Sequence, residues 1–100
     1  NKNYQESMVV FFEQKEIRKY RQRTMYFSIV DIVFILSESN NPRRYWSDLK
    51  KKLTDEGYSE LYENIVQLKL GSADGKKYLT DASDMEGIFR IIQSIPSRKA

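Results

Sequence analysis

Hydrophobic and polar positions repeat along this chain with two periods, one near two residues and one near three and a half. Each change of period marks a boundary between elements. Met8–Glu13 (MVVFFE) is a short apolar run, β-branched and aromatic, and predicts a strand paired on both faces. Glu16–Arg21 and Thr24–Phe27 predict a weaker pair of strands around Gln22-Arg23, a turn that lacks Asn-Gly or Asp-Gly. Ile29–Leu36 has almost no polar side, which predicts a buried helix. Ser28 and Asp31 at its start have the spacing of a capping box, with Asp in place of the usual Glu. Ser37–Asn40 is a polar break before a second helix, and Gly57 stops that helix. Tyr58–Asn64 is ambiguous between a helical turn and a lead into the next strand. Ile65–Leu70 then alternates, with Val66, Leu68 and Leu70 on one side and Gln67 and Lys69 on the other. An Asp-Gly loop ending at Gly75 returns the chain as Lys76–Thr80, so the two runs predict a hairpin. Thr80 or Asp81 is the expected cap of a last helix, with Met85, Ile88, Phe89, Ile92 and Ile95 as its apolar stripe and Ile95-Pro96 as its end.

These elements predict one small α+β domain. It has short antiparallel strands, a helix-turn-helix-like helix pair, a second hairpin and a final helix. The domain is expected over residues 8–97, between a disordered leader at 1–7 and a tail at 98–100.

The second helix is where chemistry enters. Asn41 is placed to cap it, and Pro42 at its first position loses an N–H that had no partner there. With a step of about 100° per residue, Tyr45, Trp46, Leu49 and Leu53 share one arc and predict its core face. Arg44, Ser47 and Lys51 lie opposite, with Arg43 and Lys50 at the edge. Residues 41–52 hold five cations and one acid, whereas 54–64 hold Asp55, Glu56, Glu60 and Glu63 and no cation. The whole chain carries a net charge of only +3, so this local separation is what would steer a polyanion to one side. A cationic ridge above an apolar face suits a phosphate backbone. Taken alone, such a helix is more often a solvated surface helix, in which Asp48 pairs with Arg44 or Lys52. Lys15, Arg18, Lys19, Arg21 and Arg23 have the same two readings, as an edge protected from aggregation or as a contacting wing. Lys76 and Lys77 at the later hairpin are either solvated or phosphate-facing.

Composition narrows the function. Forty per cent apolar residues, thirteen per cent of all residues being aromatic, indicate a folded globule. The chain has no cysteine and no histidine, which removes disulfides, thiolate metal sites, the usual general base and the usual triads. No glycine-rich phosphate loop is present. Asp81, Asp84 and Glu86 are accounted for by the positive end of a helix without invoking a metal. No apolar run reaches a membrane-spanning length, and NKNYQES is not a signal peptide. The expectation is a cytoplasmic protein that binds without catalysing and takes no cofactor.

The ordered set of motifs resembles a known family. Tyr26-Phe27, Asp31-Ile32, Leu36, Asn41-Pro42 opening the basic helix, Ile65–Lys69 before the hairpin, and Leu79–Ser97 (LTDASDMEGIFRIIQSIPS) are together similar to the BRO-N domain. That domain is the amino-terminal module of baculovirus repeated-ORF proteins, and it occurs in phage antirepressors and bacterial DNA-damage-inducible D-type proteins. The likeness spans about Val9–Ser97 and is nearest to prophage-type members. Two features depart from the family: Gln22-Arg23-Thr24 stands where a turn glycine is common, and the segment that usually follows Pro96-Ser97 is missing, which predicts a longer parent protein. The resemblance implies a DNA-binding module of a prophage-type antirepressor or transcription regulator. On that reading Lys50 and Lys51 contact phosphates, Arg43, Arg44 and Ser47 reach base edges, and Lys76 and Lys77 extend the interface. The partner would be double-stranded DNA. The alternative is a module that captures a phage repressor or repair protein without DNA, using the acidic segment Asp55–Glu63.

Overall fold

The computed structural model describes residues 17–57 and 64–95. The expected leader, the strand at Met8–Glu13, the acids Glu60 and Glu63, and the ending at Pro96 lie outside these residues.

The chain is an α+β domain whose described strands form one antiparallel sheet. β1 (Lys19–Arg21) and β2 (Met25–Ser28) pair in the register Lys19↔Phe27. β3 (Ile65–Gly71) and β4 (Lys77–Ser83) form the long hairpin, and the sheet order is β1-β2-β4-β3. β4 joins the halves of the chain, but it meets β2 only at Phe27↔Ser83 and Ser28↔Ala82. The turn between β3 and β4 has the chemistry its sequence demands. Gly75 has φ +83°, Lys76 N–H donates to the Asp74 carboxylate at 2.9 Å, and Ser72 N–H donates to Lys76 O at 2.8 Å.

Two helices fill the connection between the hairpins. α1 (Ile29–Ser37) buries Ile29, Ile32, Val33 and Ser37. It is not apolar on all sides for the sake of burial, as its sequence suggests: Phe34 is 55% exposed, because a single helix placed on the edge of so small a core covers one face only. The expected capping box is half formed. Ser28 Oγ accepts from Asp31 N–H at 3.4 Å, but the Asp31 carboxylate turns to Arg18 instead of reaching back. A short polar connection then leads to α2 (Pro42–Asp55), capped by Asn41 Oδ1 accepting from Arg44 N–H at 3.3 Å. Gly57, φ +86°, follows its end.

α3 (Met85–Ile92) starts later than Thr80 or Asp81, since β4 continues through Ser83. Its cap is Asp84, whose Oδ1 accepts from Gly87 N–H at 2.9 Å. The apolar stripe centres on Ile88 and Ile91, with Met85, Ile92 and Ile95 half-buried beside them. Trp46, Leu49 and Leu53 of α2 join these residues, α1 and Phe27 in one core. Burying such side chains contributes roughly 1.5–3 kcal/mol each.

Candidate nucleic-acid interface

Beyond its core contacts, α2 is tied to the hairpin by a single carboxylate. Asp81 lies in β4 opposite Gln67, and its side chain is half-buried between the hairpin and the helix. Asp81 Oδ2 accepts from Trp46 Nε1 and from Lys50 Nζ, both at 2.8 Å, while Oδ1 accepts from Gln67 Nε2 at 3.3 Å. Trp46 and Lys50 are four residues apart, one helical turn, so one acceptor serves both. The ammonium of Lys50 also lies 5.6 Å from the centre of the indole ring. Partial burial pushes the Asp81 carboxyl up, but the hydrogen bonds from Lys50, Trp46 and Gln67 outweigh it and hold the group below the usual carboxylate range.

Lys50 therefore belongs to the frame of the domain, and its charge is already matched. Lys50 sits at the edge of the core arc, as its spacing predicts, and from there its stem follows the indole to Asp81. Trp46 is buried as its arc predicts. Asp81, expected as a helix cap, lies instead within β4, and Asp84 is the cap. The one available signal for Asp81 was its place on a strand opposite a polar Gln67.

The rest of the ridge is open. Arg43, Arg44, Ser47, Lys51 and Lys52 are exposed. Arg44 meets Asp48 only at 3.9 Å, with both side chains largely in water, where such a pair holds little. Arg43 and Ser47 edge a cleft of about 240 Å³ against Gln67 and Leu79, so the near side of α2 runs along the hairpin. By strand alternation, Lys69, Lys77 and Leu79 share the face of the Gln67–Asp81 pair. All three are exposed, and they continue that face outward from the cleft. Lys69, which the sequence shows only as a polar strand position, thus joins the set through register. Lys76 lies in the turn beyond. There Tyr78 donates to Asp74, a bond that lowers the Asp74 carboxyl and raises the Tyr78 phenol.

Arg18, by contrast, is structural. Its Nε and Nη2 grip the two Asp31 oxygens at 2.9 and 3.1 Å, its own N–H donates to Oδ2 at 2.8 Å, and Nη1 reaches Gly71 O at 3.2 Å. Lys19, Arg21 and Arg23 are exposed around the β1–β2 turn. Asp81, Asp84 and Glu86 do not converge, the first tied to α2 and the second to a helix cap. Among the described residues no group of acids is placed to hold a metal ion, and no helix is long and apolar enough to cross a membrane.

No family model, curated protein or solved structure matches the chain.

Proposed function

We propose that this domain is a DNA-binding regulatory module of the BRO-N kind, working in a prophage-type antirepressor or transcription regulator and carrying out no catalysis. The observation that carries the reading is the pairing of two cationic surfaces. The exposed Arg43, Arg44 and Lys51 of α2 lie beside a hairpin bearing Lys69, Lys76 and Lys77; Asp81 and Asp31 are neutralised from within by Lys50 and Arg18, and Asp48 meets Arg44 only at 3.9 Å. Neutralised acids leave the surface field to the cations.

In this reading α2 lies against the duplex. Lys51 and the hairpin lysines contact phosphates as point charges, and Arg43, Arg44 and Ser47 are the side chains offered to base edges. Lys50 drops out of the contacting set and acts by holding the helix in place. The test is a salt series with random-sequence duplex. Log affinity should fall by about 0.9 per phosphate contact for each unit of log salt, so four lysine contacts give a slope near −3.6. Binding that ignores salt, or no binding at low salt, overturns the proposal.

A further inference from the structure

We infer that the cleft between α1 and the start of α2 is a docking site for an acidic segment of a partner protein that carries an apolar anchor residue. The cleft encloses about 490 Å³ and its apolar wall is formed by Val30, Phe34, Ile35 and Pro42. Phe34 stands 55% exposed in the middle of a regular helix, where a polar residue would cost the fold nothing.

The polar end of the cleft identifies the occupant. Asp31 lines it, but the fork of Arg18 binds both carboxylate oxygens, so the pair presents no net charge. Arg43, exposed on the opposite rim, has no carboxylate partner among the described residues. An apolar wall ending in one unmatched guanidinium is complementary to a segment that places a leucine or aromatic side chain beside a carboxylate. The inference goes beyond DNA binding and shares only Arg43 with it, so a bound segment of this kind competes with the duplex at that residue.

The test uses the protein with three short fluorescein-labelled peptides: one rich in Asp, Glu, Leu and Phe, one with its apolar residues changed to Ser, and one with its acids changed to Lys. The first alone should give a saturable rise in anisotropy, weakened at least about tenfold by Phe34→Gln and by Arg43→Glu, a tenfold step being about 1.4 kcal/mol. Amide shifts of the wild-type protein with the first peptide should cluster at Val30, Phe34, Ile35 and Arg43, a readout that does not depend on any variant folding. Phe34→Gln should leave duplex binding intact and Lys51→Ala should leave peptide binding intact, which separates this failure from failure of the DNA reading. Equal binding of all three peptides, no binding, shifts located elsewhere, or self-association burying Phe34 overturns the inference.

Discussion

The Trp46 indole N–H and the Asp81 carboxylate are hydrogen-bonded at 2.8 Å across 35 residues of sequence. The bond connects the cationic helix α2 to the hairpin, and Lys50 and Gln67 converge on the same carboxylate.

Asp81→Asn keeps the shape of this hub and removes its charge. The expected cost is about 2 kcal/mol, that of a lost hydrogen bond to a charged group. Urea unfolding should show a lower midpoint at an unchanged slope. The folded-state pKa of Asp81 is depressed, so its stabilisation is fully present above the unfolded carboxylate value of about 3.9 and disappears as pH falls through the lower folded value. The variant should therefore lose less stability than the wild type as pH falls below about 4. An equal acid limb in both proteins would remove Asp81 from that role.

Gly87 lies at a close approach to the Ser83 side chain. A Cβ built there would lie 1.9 Å from Ser83 Oγ, in a region where both residues are buried. Gly87→Ala should cost about 1–3 kcal/mol by overpacking. Ser83 Oγ is itself buried without a hydrogen-bond partner among the described residues, so Ser83→Ala should be neutral or stabilising. The double variant should be more stable than the sum of the two changes predicts, because the clashing oxygen is gone. Simple additivity in thermal melts would contradict the contact.

Arg18 and Asp31 should be strongly coupled. Arg18→Lys retains the charge but loses the fork, and about 1–2 kcal/mol of stability should go with it. A double-mutant cycle with Asp31→Asn should return a coupling energy of at least about 1 kcal/mol. A value near zero would place the pair with ordinary surface ion pairs.

Lys50 and Lys51 are adjacent in sequence and should fail in different assays. Lys50→Ala should lower stability, since it strips an ammonium from Asp81, and leave the salt slope of duplex binding nearly unchanged. Lys51→Ala should leave stability unchanged and reduce the slope by about 0.9. Interchanged behaviour would mean that the ammonium at position 50 leaves its carboxylate to contact the duplex.

The elements were largely legible because their signals are local. Pro42 behind Asn41, Asp-Gly at the hairpin and Trp46, Leu49 and Leu53 on one arc each report on their own few residues. Errors arose where a residue's partner is distant. Asp81 looks like a helix cap until Trp46 and Lys50 are brought to it, and Arg18 looks like edge decoration until Asp31 folds over it. Lys50 has the composition of the ridge but the contacts of the core edge. Phe34 shows the converse, since a hydrophobic residue on an apolar helix does not announce which side the small core will leave open.

Glu38 ends α1 in the left-handed region, φ 56°, with its N–H donating to Phe34 O at 3.2 Å. A side chain in that backbone state is a local penalty, and an acid at a helix C-terminus adds a second by opposing the dipole. Glu38→Gly removes both, so a gain of about 1 kcal/mol should raise the melting temperature by roughly 4–8 °C in a domain of this size. Differential scanning calorimetry checks the figure, and a lower melting point would refute it. The connection between the two helices thus holds a backbone penalty at an exposed position, and an engineer could relieve it without disturbing a single packed side chain.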